Sequence, residues 1–210
     1  MVIVVACFLL ASGNPSRSSE SADSILTMIQ EKYSHLKSFT ADFTQSFESK
    51  ALGSGITERG KLYIRIPSQM RWDYEKPEEK IAICNGTDSW LYIKDDNIAV
   101  KANLAASGGS QALVSLLTGM VDLRDLFEGE LISKAHGEVI AKIRLKEEND
   151  QFDFLLITVN TRQKRLTRIE VFDLLGNRMV YSFNNIEENV EVKPELFQFS
   201  IPPGARLKFE

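Results

Sequence analysis

Apolar and polar residues alternate through the stretch from residue 60 to residue 92. Leu62, Ile64 and Ile66 are separated by single polar or aromatic residues, which is the two-residue period of a strand with one apolar face. Pro67 interrupts the pattern because proline has no amide proton to donate to a ladder. The alternation then resumes, and Asn85-Gly86 is typical of a hairpin turn. The pattern predicts four successive strands whose large apolar side chains point the same way.

The side chains on this predicted face are unusually large. A sheet that needs only a core is usually filled with branched aliphatic residues, whereas tryptophan, tyrosine and methionine also suit the wall of a cavity. Both interpretations stay open here, because each of these residues could equally be ordinary core. The cavity hypothesis assigns to the wall Phe43, Phe47, Leu62, Ile64, Met70, Trp72, Tyr74, Ile81, Ile83, Trp90 and Tyr92.

Two segments have the spacing of helices. Residues 21–37 carry apolar residues at helical intervals, with Ser21 or Asp23 available as N-cap. Residues 111–120 form the most apolar internal run, preceded by a Gly/Ser-rich stretch. Its apolar side chains recur at i, i+3, i+4 and i+7, on Leu113, Leu116, Leu117 and Met120. This helix is predicted either as a hinged lid or as a cap that plugs a barrel end without moving.

The rest of the chain returns to strands. Alternating runs over 139–145, 152–159, 166–173 and 178–184 are followed by a last predicted strand over 197–201, which Pro202-Pro203 ends. Residues 122–128 are predicted as a short helical turn. In all we expect roughly eleven strands joined by short turns and two clear helices. The predicted fold class is α+β, mainly antiparallel, with one barrel-like domain over residues 23–210.

Composition narrows the class of protein. The chain has 210 residues, of which 43% are hydrophobic and 26% charged, as in ordinary globular proteins. The formal net charge of −4 and the lack of a basic run argue against nucleic-acid binding.

The first residues are interpreted as a targeting segment. Residues 2–11 form a continuous apolar run with the length of a signal-peptide core, too short to span a bilayer. Residues 1–22 are therefore expected to be a signal peptide or a disordered segment, and the protein to be exported. Alternatively, Cys7 is the acylated first residue of a lipoprotein. If the signal peptide is removed, Cys84 has no disulfide partner, and its position between Ile83 and Asn85 predicts a buried thiol.

Catalytic chemistry is poorly supported. His35 and His136 lie far from any nucleophile elbow. No cysteine, histidine or acidic grouping has metal-ligand spacing, and no glycine loop of the phosphate-binding type follows a strand. We therefore expect neither an enzyme nor a cofactor or metal.

The stretch GKLYIRIPSQMRWDYEKPEE, followed by I-x-I-x-N-G and W-x-Y, resembles the LolA-type outer-membrane lipoprotein carriers. The resemblance extends to Ser38-Phe39-x-Ala41-x-Phe43-x-Gln45 and to Phe197-x-Phe199-x-x-Pro202-Pro203-Gly204. It implies an incomplete antiparallel barrel whose helices cover a hydrophobic cavity. It also implies a periplasmic monomer that takes acylated lipoproteins from an inner-membrane lipoprotein-releasing ABC transporter to an outer-membrane receptor. A membrane-anchored receptor or lipid-binding module of the same fold, and a periplasmic lipoprotein sensor, are the alternatives.

The sequence departs from the family pattern at two places. Well-studied carriers of this family have an arginine immediately before the proline of the first core strand, where it helps to hold the lid closed. In this sequence that position is Ile66. Arg65 is adjacent but should face the other side of the sheet. The extra C-terminal element of some carriers is expected to be short or absent.

Overall fold

The computed structural model describes residues 21–51, 53, 55–103, 108–119, 121–147 and 152–209. The predicted targeting segment, including Cys7, and Met120 lie outside these residues. Three α-helices are described: α1 (Ala22–Ser34), α2 (Gly108–Thr118) and α3 (Leu123–Leu126). The strands are β1 (Ser38–Glu48), β2 (Thr57–Arg65), β3 (Gln69–Lys76), β4 (Lys80–Cys84), β5 (Asp88–Ile93), β6 (Ile98–Asn103), β7 (Phe127–Ala135), β8 (Glu138–Leu145), β9 (Phe154–Asn160), β10 (Arg165–Phe172), β11 (Arg178–Glu188) and β12 (Arg206–Phe209).

These twelve strands form one sheet in the order β12-β6-β5-β4-β3-β2-β1-β11-β10-β9-β8-β7. Neighbours are antiparallel except β12 and β6, which run parallel. The two outermost strands do not pair with each other, so the sheet curls without closing. The prediction of a mainly antiparallel, incomplete barrel of the α+β class is confirmed.

The concave face of the sheet, here called the inner face, begins in β1 to β3. Residues directly opposite each other in an antiparallel pair share a face. Ile64 pairs with Met70 and Leu62 with Trp72, while Phe43 and Tyr74 both pair with Gly60. A side chain at Gly60 would collide with the Asp73 carbonyl, so this close approach requires glycine. The predicted apolar face is therefore confirmed for β2 and β3, and Phe43 of β1 shares it.

The prediction is wrong for β4 and β5. Trp72 pairs with Ala82 and not with an isoleucine, so that Ile81 and Ile83 turn to the opposite, outer face. Trp90 and Tyr92 pair with these two isoleucines and point outward with them. The length of the connection between β3 and β4 sets this register, and a shift of one residue reverses every side chain that follows.

Helix α1 covers one half of the inner face. Ser21 caps it by accepting a hydrogen bond from the Ser24 amide. Ile25, Leu26 and Ile29 are fully buried, and the helix packs against β7, β8 and β10. The ring of Tyr33 stacks on Phe39 of β1 at 5.7 Å between centroids. The other half of the inner face, at β3 to β6, is left to α2.

The side chains described in helix α2, those of residues 112–118, are nearly all buried. Of the side chains described in it, Ala112 and residues 114–118 are buried and only Leu113 is partly exposed. It also contacts α1 and α3. Gln30 of α1 fixes its C-terminal end by donating to the Gly119 carbonyl (2.9 Å) and accepting from the Leu123 amide (3.1 Å). The helix is thus a layer inside the protein, not a surface element with one apolar face.

The chain end packs on the outer face, and the strand predicted over 197–201 is wrong. Pro194–Phe197 forms a 3-10 turn, and β12 begins only at Arg206. Phe197 is buried, and Phe199 stacks on Trp90 at 4.8 Å between ring centroids. The alternation that suggested a strand comes from aromatic side chains packing onto the sheet instead of from a ladder.

Strand β7 was not predicted because it is an edge strand. After Phe127 its side chains are exposed or partly exposed, so no two-residue apolar period marks it. The helical turn predicted over 122–128 is present but shorter, because α3 spans only Leu123–Leu126. Asp122 caps this helix by accepting a hydrogen bond from the Arg124 amide.

Candidate functional site

A cavity of about 430 Å³ lies between α2 and the inner face of the sheet. Strands β3 to β6 form its floor, and β10 and β11 form one side. The residues around it are mostly apolar. They are Met70, Trp72, Tyr74, Ala82, Ile83, Cys84, Ser89, Trp90, Leu91, Val100, Ala102, Leu113, Val114, Leu117, Ile169, Tyr181 and Phe183.

Three side chains predicted for the cavity wall and two predicted for the lid do line the cavity. Met70, Trp72 and Tyr74 come from β3, and Leu113 and Leu117 come from α2. Ile83 and Trp90 also border the cavity, but the register turns their side chains to the outer face. They therefore contribute main chain, not side chain, to the wall.

Other predicted residues lie behind the wall or away from it. Leu62, Ile64 and Leu116 are fully buried core residues that do not reach the cavity. Phe43 sits behind Trp72 and Tyr74 and meets both rings edge-on, at 4.8 and 5.0 Å between centroids. Three further predicted residues do not line the cavity either. Phe47 is 37% exposed near the end of β1, and Ile81 and Tyr92 border a separate groove on the outer face.

Ten of the seventeen residues that line the cavity were not predicted. Cys84, Leu91 and Val100 lie on the inner face because of the register that reverses the isoleucines of β4. Tyr181 and Phe183 come from β11, which pairs with β1 although nine other strands separate the two along the chain. No local pattern signals that pairing. Val114 was missed because it falls outside the i, i+3, i+4 series that marked the helix.

Aromatic rings form the side of the cavity nearest β1. Trp72 lies 5.5 Å from the ring of Tyr181 and 6.1 Å from that of Phe183, between centroids. Edge-to-face and tilted pairs of this kind stabilise one another beyond simple burial. This side of the cavity is therefore fixed by ring contacts across β1, β3 and β11.

Polar groups are few and concentrated toward one end of the inner face. The Tyr74 hydroxyl donates to Oε1 of Gln45 at 2.8 Å. The ammonium group of Lys80 pairs with Glu58 and lies 4.8 Å from the centre of the Tyr74 ring. Burial raises the pKa of Tyr181 to about 12, and the charge of Glu58 adds to the shift. Burial likewise raises the pKa of Tyr74, with smaller contributions from Tyr181 and Glu58.

Cys84 behaves as a small apolar residue of the wall. Its thiol is largely buried and donates to the Ser68 carbonyl at 3.6 Å. Burial raises its pKa, which disfavours the thiolate needed for nucleophilic chemistry. The predicted burial of this thiol is confirmed.

The residue before Pro67 is uncharged, and the charged residue next to it does not face the cavity. Ile66 packs against the core as a partly buried residue. Arg65 alternates with the inward-facing Ile64, and its guanidinium lies 3.5 Å from Oε1 of Gln69. The prediction that Arg65 faces away from the inner face is confirmed.

The described residues hold neither a metal-type cluster nor a membrane-spanning helix. No group of three or more histidine, cysteine, aspartate or glutamate side chains among them could hold a metal ion. None of the helices in the same ranges is long and apolar enough to cross a bilayer.

This geometry defines a class of protein. Its members have an open antiparallel half-barrel with an apolar cavity beneath a buried helix. The sequence pattern of the family "Outer membrane lipoprotein carrier protein LolA" matches residues 34–200. The chain belongs to this family.

Individual proteins agree with the assignment. An outer-membrane lipoprotein carrier protein of Methylococcus capsulatus is 31% identical over 179 residues, which cover 81% of this chain and 84% of that protein. One of Cupriavidus pinatubonensis is 25% identical over 97% of this chain and 96% of its own length. A solved structure of an uncharacterized conserved protein from Thermus thermophilus has the same fold. Its TM-score is 0.56 at 13% identity, covering 90% of this chain and 99% of that one.

Proposed function

We propose that the protein is a periplasmic carrier that shelters the acyl chains of lipoproteins in the cavity and delivers them toward the outer membrane. The observation that carries the proposal is the apolar cavity between α2 and an aromatic wall on β3 and β11. Its volume is in the range of roughly 300–1,000 Å³ that is usual for ligand sites. Membership of the LolA family supports lipoproteins as the cargo.

Acyl-chain energetics explain why a carrier is needed. Each buried methylene contributes about 0.8 kcal/mol, so a lipid anchor with roughly 45 of them would cost on the order of 36 kcal/mol to expose to water, as an upper bound. Free crossing of the aqueous space is therefore negligible. A wall of tryptophan, tyrosine and methionine offers broad, non-directional contact that still allows release.

The proposed route runs from an inner-membrane lipoprotein-releasing ABC transporter to the outer membrane, with a receptor there where one exists. In the proposal Leu113, Val114 and Leu117 of α2 cover the wall when no cargo is bound, which keeps the apolar surface from water. The protein needs no cofactor for this cycle and acts as a monomer. The lid role of α2 and the removal of residues 1–22 as a signal peptide belong to the same proposal.

The test compares the two tryptophans of the chain. Trp72→Glu places a charge in the cavity wall, whereas Trp90→Glu places it on the outer face. We expect Trp72→Glu to abolish capture of acylated lipoprotein released from inner-membrane vesicles and Trp90→Glu to retain it, with circular dichroism confirming that both variants fold. Unimpaired capture by folded Trp72→Glu would contradict the proposal. Mass spectrometry of the mature N-terminus separates a free carrier from the anchored receptor, because only the latter carries acyl groups on Cys7.

A further inference from the structure

A polar cluster interrupts the apolar inner face at one end of the cavity. It consists of Gln45 on β1, Glu58 on β2, Tyr74 on β3, Lys80 on β4 and Tyr181 on β11. Gln45 pairs in register with both Glu58 and Tyr181, and Tyr74 pairs with Lys80, so all five side chains share the inner face. Tyr74 and Tyr181 also line the cavity. The cluster is named the polar end below.

The ion pair of the polar end is largely removed from water. The Lys80 and Glu58 side chains are only 19% and 13% exposed. Such a pair gives little net stability, because desolvation offsets the attraction between the two charges. In many proteins an apolar pair of similar size stabilises the fold as well or better. The position of the Lys80–Glu58 pair beside a ligand-sized cavity is therefore consistent with a role in recognition.

Tyr181 is the member of the polar end whose hydroxyl is free to donate a hydrogen bond. The Tyr74 hydroxyl is already engaged with Gln45 at 2.8 Å. No hydrogen bond joins the Tyr181 hydroxyl to another described residue, and it is not among their fully buried side-chain atoms that lack a partner. Its ring packs in the cavity wall beside Trp72. The hydroxyl is therefore accessible from the cavity and free to donate to an acceptor on a bound molecule.

The electrostatics of the polar end select the kind of acceptor. The Lys80 ammonium group is already paired with Glu58, and the described residues that line the cavity include neither lysine nor arginine. A free carboxylate buried in the cavity would therefore lack a cation to pair with, which makes its desolvation costly. A neutral ester or amide carbonyl needs only a hydrogen-bond donor.

We propose that the polar end recognises the head of a bound acyl chain, with Tyr181 donating to an ester or amide carbonyl, so that the cavity prefers esterified or amidated chains over free fatty acids. The inference rests on the proposed function, since it places the acyl chain in the cavity. The hydrocarbon lies along Trp72 and α2, and the carbonyl lies at Tyr181. Selection by head chemistry would let the protein hold a lipid anchor while ignoring fatty acids of the same length.

The experiment uses the fluorescence of Trp72 in a Trp90→Phe background, where it is the remaining tryptophan. The probes are 1-dodecanoylglycerol, dodecanoate and dodecane, which share a chain and differ in the head. We expect the ester to bind at least several-fold more tightly than the carboxylate. Tyr181→Phe should weaken ester binding about 3- to 10-fold, the value of one hydrogen bond, and leave dodecane unchanged. Tyr63→Phe, on the outer face of β2, is the matched control and should change neither.

A second variant tests the electrostatic part. The single substitution Glu58→Gln leaves the Lys80 ammonium group without its partner, so that this group can pair with a bound carboxylate, and it should narrow the difference between ester and carboxylate. Equal binding of the two heads, or ester binding that Tyr181→Phe leaves intact, would overturn the recognition of the head while the carrier proposal stands on dodecane binding. Failure of all three probes to bind would overturn both.

Discussion

The two faces of α2 should respond differently to the same substitution. Leu116 is fully buried and belongs to the same core as Ile25 and Ile29 of α1. Leu113, one turn earlier, is partly exposed and borders the cavity. Leu116→Ala therefore opens a new void in packed surroundings, whereas Leu113→Ala enlarges an existing one.

The expected magnitudes follow from this difference. Removing a buried leucine side chain to alanine costs about 2–5 kcal/mol, and the cost is larger where the site cannot collapse. We expect about 3 kcal/mol for Leu116→Ala. Leu113 has packed neighbours on one side only, so its loss should cost about 1 kcal/mol.

Urea unfolding followed by circular dichroism measures both values. With a slope of about 2 kcal/mol per molar urea for a protein of this class, Leu116→Ala should lower the midpoint by roughly 1.5 M and Leu113→Ala by roughly 0.5 M. Binding of dodecane should change in the opposite order, because only Leu113 touches the cavity. Equal losses of stability, or a binding defect confined to Leu116→Ala, would refute the orientation of α2.

Two other substitutions have defined outcomes. Ser115 is fully buried, and its hydroxyl has no hydrogen-bond partner in the described part of the chain. Ser115→Ala should therefore leave the free energy of unfolding unchanged or raise it by about 1 kcal/mol. A clear loss of stability in urea unfolding would show that the hydroxyl is hydrogen-bonded in solution. Burial alone would raise the pKa of Glu170, but hydrogen bonds from Arg168 and Arg178 outweigh it and lower the pKa. A lowered folded-state pKa gives stability that is present above the ordinary glutamate pKa and lost as the pH falls through the folded value. Glu170→Gln should thus be less stable than wild type at neutral pH and lose less on acidification, and parallel pH profiles of the urea midpoints would contradict this.

The alternation of apolar and polar residues was sufficient to predict which side chains of β2 and β3 point to the inner face. From Phe43 to Tyr74 the strands are long, alternate cleanly and are joined in sequence, so each predicts the face of the next. The prediction failed at the β3–β4 turn, where register depends on how many residues the turn holds and not on the apolar pattern. Ile83 shows the difficulty, because it is as buried on the outer face as Met70 is on the inner one. A sheet that is covered on both faces gives no polar residue to mark the outside.

The predictions for α2 and for residues 197–201 were wrong for a related reason. The series Leu113, Leu116 and Leu117 predicts one apolar face, but α2 is surrounded, and its buried positions divide between core and cavity. Phe197 and Phe199 alternate as in a strand, but Phe197 is buried and Phe199 packs against Trp90 and Tyr92 on the outer face. In both places the sequence reports burial, whereas the structure decides what the residue is buried against.

The double burial of α2 constrains how the proposed cavity can open. If α2 moved away from the sheet as a rigid unit, Leu116 and Ala112 would leave the core that they share with α1, and the hydrogen bonds from Gln30 to Gly119 and Leu123 would break. A ligand must supply that free energy through its stronger contact with the open state. A smaller movement that keeps Leu116 in place and displaces only the N-terminal turns, around Leu113, removes Ala112 from the core but preserves the packing of Leu116 and the Gln30 contacts. Opening from the N-terminal end of α2, with its C-terminal end held by α1, is therefore the less costly way to admit an acyl chain.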